Sequence, residues 1–147
     1  MIGSVTCSYA VVENAEDLGT AQSIRIAVFV EEQGIPRELE LDALDAEATH
    51  VLARTDDRAV ATGRLTGQGG VAVIARIAVL PAYRGRGIGR RVVEMLEELA
   101  QHEGYAAAEL SPHEYLEEFY AALGYRRVPG EEEVAGHRLI RMRKELE

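Results

Sequence analysis

The sequence predicts a single α/β (α+β) domain, in which about seven short strands alternate with helices. Strand-like runs separated by turn residues occur in both halves of the chain, and one of them, residues 71–80, is almost continuously apolar. Apolar residues then recur at helical spacing from residue 88 to residue 102. The chain has 147 residues, of which 47% are hydrophobic and 28% charged, as expected for one globular domain over residues 1–147.

The N-terminal half is expected to hold four strands and one long helix. The strands are predicted at residues 4–12, 49–54, 58–66 and 71–80. The helix covers residues 15–32 and ends at Gly34, a residue type that favours helix C-termini. A charged connector at residues 35–48 has room for a short second helix. Pro81 ends the fourth strand because proline has no N–H to donate to a neighbouring strand.

The C-terminal half is expected to hold two helices and three strands. The strands are predicted at residues 106–110, 125–128 and 136–143. One helix covers residues 88–102. The other begins after Pro112, covers residues 113–123 and ends at Gly124. An acidic loop at residues 130–133 is predicted to join the last two strands.

Charge and composition exclude several classes of protein. The net charge is −9, from 25 acidic and 16 basic residues, and such a surface repels nucleic acid. No apolar run approaches the roughly 20 residues that span a bilayer, and the first residues do not resemble a secretory signal, so we expect a cytoplasmic protein without a membrane partner. The single cysteine, Cys7, and four unclustered histidines predict neither a disulfide nor a metal site.

A glycine- and arginine-rich turn at residues 84–91 predicts a phosphate-binding site. It opens directly onto the helix at residue 88, whose N-terminus offers unpaired N–H groups and a partial positive charge. It is not a P-loop, which needs a lysine, because the only lysine is Lys144. The spacing G-x-G-x-x-G of dinucleotide-binding loops is absent too. What remains is the pattern Arg84-x-x-Gly87-x-Gly89.

This pattern resembles the acetyl-CoA-binding motif R/Q-x-x-G-x-G/A of the GNAT acetyltransferase superfamily. Residues 116–125 are similar to a second motif of that superfamily, F-Y-x-x-x-G-F/Y. Residues 25–33, followed by Asp42, Asp45 and His50, look like the ElaA-like branch. The resemblance covers essentially the whole chain. It implies the GNAT fold, a mixed and mostly antiparallel sheet with helices on both faces, splayed where the cofactor enters.

The resemblance also implies acetyl-CoA as cosubstrate and a set of residues that hold it. The pantetheine arm would pair with the backbone edge of Ile77, Ala78 and Val79, where the Val79 N–H could polarise the thioester carbonyl. The diphosphate would lie on the backbone of Arg84, Gly85, Arg86, Gly87, Ile88, Gly89 and Arg90.

Tyr120 matches the superfamily position of the general acid that protonates the departing thiolate. A phenol is a suitable donor because its reference pKa, near 10, is close to that of a thiol, near 8.5. Packing of Tyr120 in the core is compatible with that role. The general base stays open among several side chains and bulk water. The candidates by residue type are Glu32, Glu109, His113 and His50.

The expected activity is direct transfer of an acetyl group, in a ternary complex, to a primary amine of a small molecule or peptide. The alternative is a non-catalytic acyl-CoA-binding sensor or interaction module. Acceptor contacts are expected from Glu31, Gln33 and His113. Asp42 and Asp45 either line the acceptor pocket or cap a short helix. The oligomeric state stays open, a homodimer included.

Overall fold

In the computed structural model, which describes residues 6–146, seven strands form one sheet with helices packed on both faces. The strands are β1 (Cys7–Val11), β2 (Thr49–Thr55), β3 (Arg58–Gln68), β4 (Val71–Val79), β5 (Ala107–Leu110), β6 (Arg126–Val134) and β7 (His137–Glu145). They lie in the order β1-β2-β3-β4-β5-β7-β6. Strands β4 and β5 run parallel, whereas the other neighbours run antiparallel. The predicted mixed, mostly antiparallel sheet is therefore confirmed.

Within residues 6–146, four α-helices, one π-helical segment and short 3₁₀ turns connect these strands. The α-helices are α1 (Ala15–Arg25), α2 (Arg37–Glu40), α3 (Ile88–His102) and α4 (Glu117–Ala122). Short 3₁₀ turns cover Ala43–Ala46, Pro81–Tyr83 and Glu114–Leu116. The first predicted helix has the expected limits, but Ile26–Glu32 is wound as a π-helix that continues α1. Gly34 follows it with a φ of +76°, as expected for the residue after a helix.

Three sequence predictions differ from the structure or lie outside it. The acidic residues 130–133 belong to strand β6 rather than to a loop, because a bulge at residues 129–130 keeps the chain paired with β7. The turn that joins the two strands lies at residues 135–136. The helix expected at residues 113–123 begins only at Glu114, as a 3₁₀ turn. Residues 4–5 of the first predicted strand lie outside the described residues.

Two apolar clusters lie on opposite faces of the sheet, so adjacent residues of β2 belong to different clusters. Helix α3 packs in the larger cluster, which includes Val51, Val60, Leu65, Val92 and Leu96. Helix α1 packs in the smaller cluster, which includes Ala21, Ile24, Leu52 and Ala78.

Gly63 on β3 allows α3 to approach the sheet closely. A Cβ atom at this position would lie 2.7 Å from the side chains of Ile77 and Val92, which is closer than atoms pack in proteins. The absence of a side chain at residue 63 therefore fixes how closely α3 approaches β3.

Strand β4 contains a bulge at Arg76, whose φ is +58°. The extra residue shifts the alternation of side chains by one position. Ala72 and Ile74 before the bulge, and Ile77 and Val79 after it, therefore all contact the α3 cluster. The bulge thus turns the last residues of β4 relative to the rest of the strand.

The Arg76 side chain is held by a charged network between α1, α2 and the sheet. Its guanidinium lies 3.1 Å from the Glu40 carboxylate and 3.2 Å from Asp42. Arg25, which is fully buried, contacts both Glu40 and Asp45. Because these charges are paired with one another, the network anchors the bulge to α2.

Within residues 6–146, none of the helices combines the length and the apolar character that crossing a bilayer requires.

Candidate active site

Strands β4 and β5 separate after two paired residues. Their register pairs Ala72 with Ala108 and Val73 with Glu109. Beyond Leu110 the chain continues beside β7, where His113 forms a bridge with Leu139. The rest of β4 runs on to Val79 beside β3. A gap therefore opens between residues 74–79 and residues 111–113, and we call it the β4–β5 opening.

The backbone of Val79 faces this opening. Leu80 donates its N–H to the Val60 carbonyl at 2.9 Å, so Leu80 and Val60 form a hydrogen-bonded pair between β4 and β3. The neighbouring pair, Val79 and Ala61, is then a non-hydrogen-bonded pair, in which the N–H and C=O groups of both residues point away from the partner strand. The N–H of Val79 is therefore directed away from β3.

The glycine-rich turn leads from the end of β4 into α3. Gly85 and Gly87 have φ values of +78° and +81°, and a Cβ atom added to either would meet nothing within 4 Å. Gly87 is the N-cap of α3 and offers no side chain to its first N–H groups. The first helical hydrogen bond joins the Arg91 N–H to the Gly87 carbonyl. The N–H groups of residues 88–90 therefore have no partner within the helix.

Arg84 connects this turn to the end of the π-helix. Its two terminal nitrogens donate to the two Glu32 carboxylate oxygens at 2.8 and 2.7 Å, and its Nε donates to the Val79 carbonyl at 2.9 Å. Hydrogen bonding to Arg84 lowers the pKa of Glu32. The two residues predicted as cofactor ligand and candidate base are thus paired with each other.

Tyr120 lies in the core beside α3, with only 6% of its surface exposed. Its ring packs edge-on against Phe119 and Tyr125, with centroid distances of 4.9 and 5.9 Å. Burial raises the pKa of Tyr120, so the phenol is protonated at neutral pH. A protonated phenol can act as a general acid but not as a general base.

Glu109 is held by two arginines of β7. Its carboxylate oxygens lie 2.8 Å from Arg141 and 2.9 Å from Arg143. Hydrogen bonding, first from Arg141 and then from Arg143, lowers the pKa of Glu109. The carboxylate borders a groove of about 600 Å³, which Glu132 and Gln68 also line.

His113 is the first member of a hydrogen-bonded chain. Its Nε2 lies 3.0 Å from Nδ1 of His137, and His137 Nε2 lies 2.9 Å from the main-chain oxygen of Gln33. The His113 ring also stacks on Tyr115, at a centroid distance of 5.1 Å. Burial, and secondly the neighbouring His137, lower the pKa of His113. Gln33 and His113, both predicted as acceptor contacts, are thus linked through His137; Glu31 is exposed near the end of the π-helix.

The other predicted residues contribute to structure. Asp42 caps the 3₁₀ turn Ala43–Ala46 by accepting from the Leu44 N–H at 3.1 Å, so the capping interpretation is confirmed. For Asp45 the capping interpretation is wrong, because its buried carboxylate pairs with Arg25 and Arg64 instead. His50 is also buried, and its Nε2 lies 3.0 Å from the Asp45 carbonyl oxygen.

Sequence reasoning missed His137, the bulge at Arg76 and the Arg84–Glu32 pair. Each depends on residues far apart in the chain, and no local spacing indicates them. Among residues 6–146, no group of three or more His, Cys, Asp or Glu side chains is arranged to hold a metal ion.

Comparison with known proteins identifies the family. Residues 14–146 match the acetyltransferase (GNAT) domain. The chain belongs to the GNAT acetyltransferase family. The GNAT chain is 37% identical over 118 residues to the provisionally named acetyltransferase BSU40680 of Bacillus subtilis (strain 168), covering 78% of this chain and 80% of that relative. The predicted family and enzyme class are therefore confirmed, and acetyl-CoA is the cosubstrate that GNAT proteins use.

Solved structures of GNAT proteins superpose over nearly the whole chain. A provisionally named N-acetyltransferase of Lactobacillus plantarum has a TM-score of 0.89 and 29% identity, covering 96% of this chain and 99% of that one. ElaA of Escherichia coli has a TM-score of 0.84 and 25% identity, covering 95% and 99%. The predicted likeness to ElaA is therefore confirmed at the level of the fold.

Proposed function

We propose that this GNAT enzyme moves the acetyl group of acetyl-CoA directly to a primary amine of a small molecule or peptide, in a ternary complex. The observation that carries the proposal is that backbone N–H groups without a partner in strand or helix occur on two neighbouring segments, since a Cβ atom at Gly89 would lie 3.4 Å from the Val79 side chain. One is the Val79 N–H at the β4–β5 opening, and the other is the first turn of α3.

The turn fits the diphosphate of the cosubstrate. The open space over Gly85 and Gly87 leaves room for an anion against the backbone of residues 84–90. Because Arg84 is already paired with Glu32, its side chain orients the turn, and the backbone N–H groups supply most of the direct contact. Arg86, which lies over the Tyr83 ring at 5.5 Å, and Arg90 add positive charge.

The β4–β5 opening fits the pantetheine arm and the thioester. The arm would pair with the free edge of Ile77, Ala78 and Val79, as an additional strand does at the edge of a sheet. The cosubstrate supplies an acetyl thioester. The Val79 N–H is directed so that it could donate to the thioester oxygen, where negative charge develops during transfer.

Tyr120 would protonate the departing sulfur. Its buried phenol keeps its proton at neutral pH and lies on the α3 face of the sheet, on which the cosubstrate loop also begins. Its rigid packing against Phe119 and Tyr125 would hold the donor in one orientation.

The test combines binding and turnover. Calorimetry with coenzyme A is measured on the wild type, on Gly87→Ala and on the control Gly69→Ala. Residue 69 has a φ of +60° and open space around it, so both variants carry a backbone strain of about 1–2 kcal/mol. We expect at least tenfold weaker binding in Gly87→Ala and nearly unchanged binding in Gly69→Ala.

Turnover is followed as thiol release from acetyl-CoA with a pool of polyamines, amino-acid amides and short peptides. Release that depends on an added amine supports the enzyme. If the protein binds coenzyme A tightly but releases no thiol with any amine of the pool, it is a non-catalytic binding module instead of an enzyme. Equal binding in both glycine variants would remove the proposed diphosphate site.

A further inference from the structure

We propose that Nδ1 of His113 is the general base that takes the proton from the acceptor amine, and that His137 is the positioning residue that keeps this nitrogen free. This inference rests on the proposed acetyl transfer. It assigns the base that the sequence left open, and it adds a histidine that no sequence pattern indicated.

The hydrogen-bonded chain determines where each proton lies. The main-chain oxygen of Gln33 can only accept, so the proton of neutral His137 must be on Nε2. Its Nδ1 then carries a lone pair and accepts from Nε2 of His113. Neutral His113 therefore has its proton on Nε2 and a lone pair on Nδ1. The Gln33 carbonyl thus sets the tautomer of His113 through His137.

The position of His113 suits a base. It follows β5 along the wall of the β4–β5 opening and is only partly buried, so solvent and substrate can reach it. Its link to Gln33 places it on the face where the π-helix packs, whereas Tyr120 packs in the α3 cluster on the other face. A base and an acid on opposite faces suit a reaction in which the amine approaches from one side.

The surroundings of His113 favour its neutral form. The titratable groups against it are His137 on β7 and Tyr115 on its own segment. Glu114 is engaged by Arg127 at 3.0 Å. Arg84 and Glu32, which lie near Tyr115, neutralise each other. Because burial and His137 both lower its pKa, His113 is unprotonated at neutral pH and can accept a proton.

The other candidate bases are less suited to the role. Glu32 and Glu109 are held by arginines, and their pKa values are lowered. Each carboxylate is therefore engaged by arginine, and its conjugate acid is stronger than an imidazolium, whose reference pKa is near 6.5. His50 is buried beneath the charged network and contacts the Asp45 carbonyl.

Two side chains, His113 and Tyr120, account for both proton transfers of the acetyl-transfer step. The amine nitrogen forms a bond to the acetyl carbon and gives a proton to His113 Nδ1, while the bond from that carbon to sulfur breaks. Tyr120 gives its proton to the sulfur. His113 then releases its proton to solvent and the Tyr120 phenolate takes one up, which restores neutral His113 and the Tyr120 phenol. The products are an N-acetylated amine and free coenzyme A.

Gln33 adds a second acceptor group near this chain. Its main-chain oxygen holds His137, and its side-chain Oε1 is buried without a hydrogen-bond partner among residues 6–146. Such an oxygen suits an N–H donor from a bound amine, because an unpaired buried acceptor is costly. The two acceptors, His113 Nδ1 and Gln33 Oε1, suit the two N–H groups of a neutral primary amine.

The first experiment uses the protein without substrate. Long-range ¹H–¹⁵N NMR of the imidazoles at pH 7.5 reports the tautomer of each histidine. We expect Nε2–H for both His113 and His137, and a mixture of tautomers at His113 after His137→Ala. A wild-type His113 with its proton on Nδ1 would overturn the inference, whatever the activity.

The second experiment measures kcat against pH with acetyl-CoA and the amine pool. We expect His113→Gln to lower kcat about 10²-fold and to remove the rise of kcat on the acid side. His137→Ala should shift that rise to higher pH, because it removes a group that lowers the pKa of His113. His102→Gln, at the exposed end of α3, is the control and should match the wild type.

The outcomes separate the two proposals. An active wild type whose His113→Gln variant keeps its turnover and its acid-side rise would overturn the base alone. A wild type that releases no thiol with any amine would remove the proposed function and, with it, the base.

Discussion

The guanidinium of Arg84 and the carboxylate of Glu32 are joined by two hydrogen bonds, of 2.8 and 2.7 Å, one to each carboxylate oxygen. The pair joins the cosubstrate turn to the end of the π-helix, which are 52 residues apart in the sequence. One side of the proposed cosubstrate site is therefore tied directly to the segment that carries Gln33.

Glu32→Gln tests whether this carboxylate is structural or catalytic. We expect kcat to stay within about threefold of the wild type, since a paired carboxylate with a lowered pKa accepts protons poorly. Stability should change by less than about 1 kcal/mol because both side chains are 41% exposed. Turnover and urea unfolding measure the two effects. A loss of kcat near 100-fold would make Glu32 the base and remove His113 from that role.

Tyr120→Phe removes the proposed acid and keeps the ring. We expect kcat to fall by about 10²-fold or more, with coenzyme affinity in calorimetry nearly unchanged. Tyr125→Phe is the matched control, because it removes the hydroxyl of an adjacent buried ring, and that hydroxyl interacts with Glu97 of α3. Equal turnover in the two variants would exclude a special role for Tyr120.

Asp45 makes the fold sensitive to acid. Burial alone would raise its pKa, but hydrogen bonds from Arg25, Gln22 and Arg64 outweigh it and lower the pKa from 3.8 to about 2. The resulting stability, of the order of 2 kcal/mol, is present above about pH 4 and is lost as the pH falls towards 2. Glu40, whose pKa burial raises, acts in the opposite direction. Urea unfolding at pH 2–6 measures the net slope.

Asp45→Asn should lower the free energy of unfolding by about 3 kcal/mol at pH 7, because it leaves buried Arg25 and Arg64 short of negative charge. Asp17→Asn is the control. It breaks the same kind of ion pair, with Arg54, but both partners are about 30% exposed, so we expect less than about 1 kcal/mol. Similar losses in the two variants would show that the buried network contributes no more to the free energy of unfolding than an exposed ion pair does.

The bulge at Arg76 can be separated from its charge by two substitutions. Arg76→Gly and Arg76→Val both remove the guanidinium, but only glycine adopts a φ of +58° without strain. We expect Arg76→Val to be the less stable by about 1 kcal/mol or more, and to show the higher KM for acetyl-CoA because the edge at Val79 is displaced. Identical KM values would mean that this edge does not depend on the bulge.

Elements whose signals lie in neighbouring residues could be predicted. Helix α3 begins at Ile88 and ends at His102 as expected, because apolar spacing and flanking glycines mark both ends. The first part of β6 could be predicted, but its continuation beyond Val128 could not, since that pairing depends on β7 and on a bulge at Pro129 and Gly130. The site divides in the same way. The turn at residues 84–90 is visible in a short motif, whereas the contact of His113 with His137 arises only when the chain beyond β5 aligns with the start of β7.

The bare backbone at Gly63 links core packing to coenzyme affinity. A methyl group there would push against Val92 and Leu96 and displace the helix whose first turn borders the proposed coenzyme site. Such a substitution should therefore lower both the melting temperature and the affinity for the coenzyme, although residue 63 does not itself belong to the proposed binding site. A residue without a side chain, which can bind nothing itself, is thus part of what sets the binding constant.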